Sequence, residues 1–261
     1  MLESGMFKIA SWNVNSIKVR LADVLAWLAA NDVDVLALQE TKSIDACFPE
    51  DAFHQQGYYS VFSGQKTYNG VAIISRHPMT SIAKALPDYN DEQKRLIAAT
   101  INNIRVVNVY VPNGSEVGSD KFAYKLAWLS KLNQFVQTQL MTHKQLAVLG
   151  DFNIAPADID VYDSYKLASG ILVSPAERDL FKALLQQGLK DSFRLFAQKD
   201  AQFSWWDYRA AAFRRNHGLR IDHILLTHTL SQACQAAGID IKPRQAVRPS
   251  DHAPVWVTLD V

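Results

Sequence analysis

Short apolar runs that end in polar residues recur along the whole chain and predict strands. The predicted strands cover residues 7–14, 33–40, 58–64, 69–76, 96–101, 104–111, 145–153, 223–230 and 255–261. Residues 58–64 and 69–76 are expected to pair. Asn102 and Asn103 separate residues 96–101 from 104–111 and predict a β-hairpin turn.

Three stretches with helical spacing lie between these strands. In Leu21–Ala30 the apolar residues fall at helical intervals, and Asn31 and Asp32 follow as a stop. A long helix is predicted over about Asp120–Met141. Another is predicted over Pro175–Gln187, with proline near its start and a glycine just past its end. Interleaved strands and helices predict a mixed-sheet α/β protein.

Composition and charge limit the class of protein. The chain has 261 residues, 48% of them hydrophobic, and can bury a large core without crosslinks. No linker-like composition divides it, so we expect residues 1–261 to form a single domain, and a monomer is the simplest expectation. The two cysteines, Cys47 and Cys234, are far apart and isolated, which favours reduced thiols. The net charge of +1 neither indicates nor excludes a nucleic-acid partner.

The sequence also bears on location. No run of about eighteen apolar residues is present, so we expect no transmembrane helix and no membrane partner. The start of the chain, MLESGMFKIASWN, lacks a charged segment followed by an apolar segment and a small-residue cleavage site. We therefore expect a cytoplasmic protein.

Polar side chains recur where the predicted strands end. They are Asn13, Asn15, Gln39, Glu40, Tyr110, Asp151, Asn153, Asp222, Asp251 and His252. Side chains at the mouth of a sheet converge on one cavity, so this pattern indicates a site. If the backbone of GDFN stays extended, Asp151 and Asn153 project to the same side, and Asn13 and Asn15 repeat that spacing. Carboxylate and asparagine oxygens without a Cys or His cluster favour Mg²⁺ or Mn²⁺ over Zn²⁺.

Each of these residues also has an ordinary structural interpretation. Asp and Asn after a strand commonly form turns. Glu40 could cap the next helix, Tyr110 could be a core aromatic, and His252 could be structural. Their joint occurrence in a fixed order is what favours a site.

Six segments, WNVN, LQETK, NVYVPNG, GDFNIAP, GLRID and SDHAP, occur in this order between residues 12 and 254. Together they resemble the motif series of the exonuclease III family of AP endonucleases, and most closely its bacterial branch. That family belongs to the endonuclease/exonuclease/phosphatase superfamily. The resemblance implies a four-layered α/β sandwich of two packed mixed β-sheets flanked by helices, with the site at one edge of the sheets.

The resemblance also implies roles for the motif residues. Glu40 would be the principal Mg²⁺ ligand, in a metal site formed by Asn13, Glu40, Asp151, Asn153 and Asp251. The implied catalytic residues are Tyr110, Asp151, Asn153, Asp222 and His252. Asp151 would activate or position the attacking water, and Asn153 would hold a phosphate oxygen. Asp222 would orient His252, which would contact the scissile phosphate, and Tyr110 would contact the phosphate or the leaving group.

The segment FSWWDYRAAAFRRNHGLRID interleaves aromatic residues with Arg209, Arg214, Arg215 and Arg220. Such a mixture suits a nucleic acid, with aromatic rings against bases or sugars and arginines against phosphates. Each arginine could equally belong to an ordinary solvated loop. Of the two tryptophans, Trp206 is expected in the core and Trp205 at a pocket.

By resemblance, Trp205, Leu219 and Ile221 would line a pocket for an extrahelical abasic sugar. Asn113, Lys121 and Arg209 would face the DNA backbone. In KLASGILVSPAER, Gly170 and Leu172 fall near the expected pocket, and Leu172 is interpreted as an apolar wall.

We therefore expect a Mg²⁺-dependent DNA repair phosphodiesterase, with Mn²⁺ as a possible replacement. Its expected substrate is double-stranded DNA with abasic sites or damaged 3′ ends. It would cut 5′ of abasic sites, remove 3′-terminal nucleotides or 3′-blocking groups, or do both. Two alternatives stay open: a phosphodiesterase of the same superfamily acting on inositol phosphates or sphingomyelin headgroups, and a non-catalytic DNA-binding relative. The LQETK and GLRID motifs favour the DNA enzyme.

Overall fold

The computed structural model describes residues 5–261. Residues 1–4 lie outside the described residues. They are the first residues of the expected single domain and of the N-terminal segment MLESGMFKIASWN. Within the described part, no helix combines the length and apolarity needed to span a bilayer. Cys47 is exposed and Cys234 is buried, and both are free thiols.

The described strands form two six-stranded mixed sheets. The first sheet contains β1 (Met6–Asn13), β2 (Val35–Gln39), β3 (Tyr59–Ser63), β4 (Val71–Ser75), β11 (Cys234–Ile239) and β12 (Val255–Asp260), in the order β11-β12-β1-β2-β4-β3. The second contains β5 (Thr80–Ala83), β6 (Leu96–Ile101), β7 (Ile104–Tyr110), β8 (Leu146–Asp151), β9 (Leu189–Asp191) and β10 (Asp222–Thr227), in the order β5-β6-β7-β8-β10-β9.

The two sheets pack face to face. Their shared core takes Ile9 and Ile73 from the first sheet and Val106 and Leu149 from the second. Within β1, Ile9 faces this core whereas Ala10 packs on the other side, as the two-residue period of a strand requires. Both faces of the central strands are buried, which explains why their sequences are almost continuously apolar.

Helices cover the outer face of each sheet. The α-helices of the described residues are α1 (Ile17–Asn31), α2 (Glu50–His54), α3 (Asp120–Thr142), α4 (Ser164–Leu167), α5 (Pro175–Gln186) and α6 (His228–Ala233), and four of them form these outer layers. The first sheet packs its outer face against α1 and α2, and the second packs against α3 and α5. The result is the expected four-layered α/β sandwich.

Most predicted elements are confirmed. The hairpin of β6 and β7 turns at Asn102 and Asn103, which both have positive φ, and β3 pairs with β4. The predicted helices differ from α1, α3 and α5 by only a few residues at their ends. The Ser174 hydroxyl caps α5 and exchanges hydrogen bonds with Glu177, which explains why that helix begins at Pro175.

One predicted strand is partly wrong. Residues 223–230 were expected to be extended, but β10 ends at Thr227 and α6 begins at His228. Leu226 and Leu230 are four residues apart and enter the same core, a spacing that a helical turn satisfies. The sequence pattern also missed three strands that lack an apolar run. β5 is mostly exposed, β9 has only three residues, and β11 consists largely of small residues.

Candidate active site

The ends of four central strands meet at one edge of the sandwich. β1 runs parallel to β2 with Asn13 opposite Gln39, and β7 runs parallel to β8 with Tyr110 opposite Asp151. β10 runs antiparallel to β8 and begins at Asp222, which is also opposite Asp151. Most of the polar residues predicted to converge therefore do so, because register places strand ends and strand beginnings at the same edge. Gln39 does not, since its buried side chain bonds Ser11 and Asn108 between the sheets.

Asn13 joins the two sheets at this edge. Its fully buried side-chain amide donates to Glu40 Oε1 (3.0 Å) and to Asp151 Oδ2 (2.9 Å). One carboxylate follows β2 in the first sheet and the other ends β8 in the second. The asparagine thus sets the separation of the two acidic groups.

Two asparagines reach the site by a turn rather than by extended backbone. Asn153 and Asn15 have φ values of 49° and 44°, in the left-handed region. The backbone N–H of Asn153 donates to Asp151 Oδ1 (2.9 Å), and that of Asn15 donates to Asn13 Oδ1 (3.0 Å). The expected extended geometry is therefore wrong. These residues therefore form turns and also belong to the site, because the turns bring their side chains together.

A chain of hydrogen bonds orients His252. Its Nδ1 lies 2.9 Å from Asp222 Oδ2, and the Ser204 hydroxyl donates to the same oxygen at 2.6 Å. The Ser204 oxygen in turn accepts from the backbone N–H groups of Ile221 and Asp222, at 3.0 Å each. His252 Nε2 faces Asp151 Oδ2 at 3.7 Å. Sequence reasoning missed Ser204, which stands outside the motif series.

The charges of His252 and Asp151 depend on each other. Burial opposes protonation of His252, but the carboxylates of Asp222 and Asp151 outweigh it and raise its pKa to about 10. Burial raises the pKa of Asp151 to about 7, against the lowering effect of the His252 charge and the Asn13 amide. The site therefore combines a cationic imidazole with a carboxylate that can exchange a proton near neutral pH.

Tyr110 lies at the end of β7 beside the acidic groups. Burial, followed by the charges of Glu40 and Asp151, raises the pKa of its phenol well above the usual value. The Arg95 guanidinium lies 4.6 Å from the centre of the Tyr110 ring. The phenol is therefore a protonated hydrogen-bond donor rather than a general base.

Glu40, Asp151 and His252 have side-chain ligand atoms that all lie within 4.8 Å of one another and could hold a metal ion. Glu40 also pairs with Lys42, whose ammonium lies 2.9 Å from Oε2. The Asp251 carboxylate accepts from the Asn15 side chain (3.0 Å) and from the Trp205 indole N–H (2.9 Å). Asp251 thus lies beside the acidic group and links it to the aromatic segment.

The residues expected to line the pocket belong to one apolar cluster. Leu172, Leu219 and Ile221 are buried in it, and half-buried Trp205 packs against it. The backbones of Trp205 and Leu219 exchange two hydrogen bonds of 2.9 Å, which fixes the indole beside the cluster. Trp206 is buried in another cluster, as expected for a core residue.

The basic residues of the aromatic segment do not behave alike. Arg209, Arg214 and Arg215 are exposed. Arg220 is buried and bonds Asp160 at 2.6 Å and Asp191 at 2.7 Å. The expectation that Arg220 belongs to a DNA-facing surface is therefore wrong. A buried guanidinium needs carboxylate partners, and these come from residues far away in the sequence.

The remaining substrate-binding candidates are exposed. Lys121 lies in the first turn of α3. Asn113 lies in the loop after β7, and its side-chain amide donates to Asn153 Oδ1 at 3.2 Å. Asn113 therefore reaches the site, as the resemblance implies.

Comparison with known proteins agrees with this fold. A model of the endonuclease/exonuclease/phosphatase family matches residues 10–252. Exodeoxyribonuclease III of Haemophilus influenzae is 34% identical over 262 residues, covering 95% of this chain and 98% of that protein. The 3′ phosphatase NExo from Neisseria, solved with a product DNA hairpin, has a TM-score of 0.96 and 46% identity, covering 98% of this chain and 100% of that one. An AP endonuclease from Archaeoglobus fulgidus has a TM-score of 0.94 and 40% identity, covering 98% and 100%.

The two-sheet sandwich and its polar edge thus define an enzyme that hydrolyses phosphodiesters. The chain belongs to the endonuclease/exonuclease/phosphatase family, and within it is a nuclease of the exonuclease III and AP endonuclease type.

Proposed function

We propose that this nuclease is a Mg²⁺-dependent DNA repair enzyme. It hydrolyses the backbone 5′ of abasic sites, removes 3′-terminal nucleotides or 3′-blocking groups, or does both. The observation that carries the proposal is the arrangement around Asp151, which Asn13 ties to Glu40 while His252 faces it at 3.7 Å. The proposal is supported by the names of its relatives: an exodeoxyribonuclease III, a 3′ phosphatase solved with product DNA, and an AP endonuclease.

The donor set fits a hard cation. Two carboxylates, Glu40 and Asp151, face the same space as His252, and no cysteine belongs to the group. The raised pKa of His252 keeps its ring protonated, so the carboxylates are the ligands available to a cation. We propose that these two hold Mg²⁺, which Mn²⁺ can replace, and that Asn13, Asn153 and Asp251 complete the site around them. A bound divalent ion supplies a Lewis acid that neutralises charge on a phosphoryl oxygen. Lys42, which pairs with Glu40, balances part of the acidic charge.

Asp151 is the better candidate for the base that takes the proton of the attacking water. Burial raises the pKa of this carboxylate, which makes it a stronger proton acceptor than an exposed aspartate. His252 is already protonated, since its pKa is about 10. We therefore assign the base to Asp151 rather than to His252, a choice that the sequence leaves open.

The other polar residues contribute hydrogen-bond donors. We propose that the imidazolium of His252 stabilises a phosphate whose negative charge increases during attack. Asn153, whose amide N–H groups bond the Val111 carbonyl and Asp151 in this structure, would exchange one of these bonds to contact a phosphate oxygen. Tyr110, held in its protonated form, donates to the phosphate or to the leaving oxygen. Asp222 accepts from His252 Nδ1 and so keeps Nε2 directed towards the site.

DNA recognition is assigned to the surface around the site. Trp205, Leu219 and Ile221 form a pocket for an abasic sugar, with Leu172 as its wall. Displacing an abasic nucleotide is inexpensive because it has no base to unstack. Asn113, Lys121 and Arg209 would contact the DNA backbone, a sequence-independent interaction. We propose the pocket residues and these three backbone-contacting residues as the substrate-binding set.

We further propose that the chain acts as one domain and as a monomer. β1 pairs with β12, so strands from both ends of the chain lie side by side in one sheet. Residues between them supply the second sheet and the rest of the site. Sedimentation of the protein with and without duplex DNA tests the monomer.

The test is cleavage of two labelled duplexes, one with an internal abasic analogue and one with a 3′-phosphate. We expect Mg²⁺ to support cleavage, EDTA to abolish it, and Glu40→Ala to lower the rate by on the order of 100-fold or more. Asp151→Ala serves as the control without the proposed base. Incision 5′ of the abasic site would identify an AP endonuclease, and 3′ release would identify an end-processing enzyme.

Three results would contradict the proposal. Cleavage that persists in EDTA would exclude the divalent metal. Binding of the duplexes without cleavage would indicate a non-catalytic DNA-binding protein. Turnover confined to inositol phosphates or sphingomyelin would indicate another branch of the superfamily.

A further inference from the structure

A buried ion pair lies beneath the site, between the two helices that cover the second sheet. Lys125 of α3 and Glu177 of α5 are 2.5 Å apart, and both side chains are 0% exposed. Neither residue has a part in the proposed chemistry. Attraction within such a pair is largely offset by the loss of hydration, so the pair is poor evidence for a stabilising role alone.

The ammonium of Lys125 holds two loops that carry site residues. Besides Glu177, it donates to the backbone carbonyl of Asn153 at 2.7 Å and to that of Asn113 at 3.1 Å. An ammonium has three N–H donors, and all three are used. The loop after β7 and the loop after β8 are therefore fastened to the same atom.

The carboxylate of Glu177 holds a third loop. It accepts from the backbone N–H groups of Leu172 and Ser174, at 3.0 Å each, and from the Ser174 hydroxyl at 2.6 Å. Leu172 has a φ of 72°, an uncommon conformation for leucine. Its carbonyl also accepts from the Ala155 N–H at 2.7 Å. Leu172 is thus held on both sides in a conformation that it would otherwise leave.

Packing around the pair agrees with this arrangement. A Cβ built at Gly114 would lie 3.0 Å from Lys125 Cδ and 2.9 Å from Ile171 Cδ1. The aliphatic stem of Lys125 therefore fills the space beside the first loop, and the third loop closes over it. The glycine permits this close approach.

We propose that Lys125 and Glu177 are positioning residues that hold residues 113–114, 153–155 and 170–174 in register with one another. The proposal rests on the proposed function, in which Asn113 and Asn153 contact the DNA backbone and Leu172 walls the sugar pocket. Through the pair, α3 and α5 determine the distance between the phosphate contacts and the pocket. Displacements of about 1 Å in such groups cost on the order of 100-fold in rate.

The first test replaces the ammonium while keeping the length of the side chain. In Lys125→Met we expect kcat to fall roughly 10–100-fold while KM changes by less than about threefold. Misplaced groups weaken the stabilisation of the transition state more than they weaken the binding of the substrate. Hydrogen exchange of the backbone amides of Leu172, Ser174 and Ala155 should accelerate at least about tenfold. Leu132→Ala is the matched control, since Leu132 is a fully buried core residue of the same helix.

The second test separates the two halves of the pair. Glu177→Gln keeps the side-chain volume and leaves Lys125 bound to its two carbonyls, but it replaces a carboxylate acceptor by an amide. We expect faster exchange at Leu172 and Ser174, with Ala155 protected as in the wild type. This variant keeps the proposal testable even if Lys125→Met does not fold.

The proposal is overturned if kcat and amide exchange in Lys125→Met match those of Leu132→Ala, or if Glu177→Gln leaves the exchange of Leu172 unchanged. Hydrogen exchange needs no substrate, so it tests the positioning role even if the wild type fails to cleave DNA. Failure of the wild type to cleave would count against the proposed function alone.

Discussion

The orientation of one imidazole shows how single residues shape this site. Asp222 accepts from His252 Nδ1, and the Ser204 hydroxyl donates to the same carboxylate oxygen. The carboxylate both fixes which nitrogen of the ring faces Asp151 and keeps the ring protonated. A neutral amide at residue 222 would do neither.

Asp222→Asn is therefore expected to lower the rate of DNA cleavage by on the order of 10²–10⁴-fold with little change in binding. The loss of the negative charge lowers the pKa of His252, and the amide favours the wrong ring tautomer. Cleavage and binding of the abasic duplex measure the two effects separately. Ser204→Ala, which keeps the carboxylate, should cost about tenfold or less. An Asp222→Asn enzyme within threefold of the wild type would contradict this role for the carboxylate.

A second histidine, His223, is buried next to the site without entering it. Its Nδ1 lies 3.0 Å from an Arg220 nitrogen, and its Nε2 lies 2.9 Å from the Ile154 carbonyl. Burial, and then the charge of Arg220, lower its pKa from 6.5 to about 4. The ring is therefore neutral in the folded protein at pH values where the unfolded chain already binds a proton.

This depressed pKa predicts a loss of stability in acid. Between about pH 6.5 and pH 4 the unfolded state binds more protons at residue 223, so the free energy of unfolding falls as the pH falls, by up to about 3 kcal/mol. Above pH 6.5 this contribution is constant. Urea unfolding at pH 7 and pH 4.5 measures it. His223→Gln can keep both hydrogen bonds without titrating and should show a smaller difference between the two pH values. An equal difference in both proteins would contradict the prediction.

At the scale of elements, the pairing of β7 with β8 decides where Asp151 lies. Gly150 precedes Asp151 in β8 and has a φ of 146°. A Cβ at this position would lie 1.9 Å from the Val109 carbonyl oxygen of β7. The two strands can keep their register only because residue 150 has no side chain.

Gly150→Ala should therefore force the strands apart. We expect it to lower the free energy of unfolding by more than about 3 kcal/mol and to inactivate what remains folded, because Asp151 moves with the strand. Gly57→Ala is the control: φ is also positive at 81°, but nothing lies within 4 Å of the added Cβ. It should cost only the backbone strain, about 1–2 kcal/mol. Chemical denaturation compares the two, and equal losses would show that the contact with Val109 is relieved at little cost.

Elements of the two sheets are also joined by a buried polar contact. The Asn108 side chain of β7 donates to the carbonyls of Leu38 (2.9 Å) and Ala72 (2.8 Å), and it accepts from the Gln39 amide at 2.8 Å. These partners lie in β2 and β4 of the opposite sheet. The contact fixes the sheets against each other, because any other alignment would leave these buried groups without partners.

For the molecule as a whole, the net charge of +1 does not describe how individual exposed arginines are paired. Arg214 and Arg215 are exposed in the loop that follows Trp205. Arg209 is also exposed, but it forms a bidentate ion pair with Asp207. An arginine that already has a carboxylate partner gives up that contact to bind a phosphate, so the three should contribute unequally to DNA binding.

If the protein binds DNA as proposed, the affinity should fall steeply with salt. Arg214→Ala and Arg215→Ala should each reduce the slope of log K against log salt by about 1. Arg209→Ala should reduce it by less, because Asp207 already neutralises that charge. Lys182→Ala, on the exposed side of α5, is the control and should leave the slope unchanged. Fluorescence anisotropy at several salt concentrations gives the slopes; equal effects of Arg209 and Arg214 would contradict the argument.

The sequence by itself predicted the central strands, the three long helices and the polar residues at the strand ends. These follow from local patterns: apolar runs in β1, β2 and β8, helical spacing in α1, and turn residues such as Asn102 and Asn103. The motif series added the family and the four layers. The motif series did not predict the turn conformation of Asn153, because a local sequence pattern does not determine which hydrogen bonds form.

The tertiary structure decided the features whose partners are far away in the sequence. Ser204 supports Asp222, Arg220 is drawn inward by Asp160 and Asp191, and a lysine of α3 meets a glutamate of α5. None of these side chains differs in sequence from an ordinary surface residue. Their roles arise because burial makes an unpaired polar group costly, and only the packed fold determines which groups are buried together.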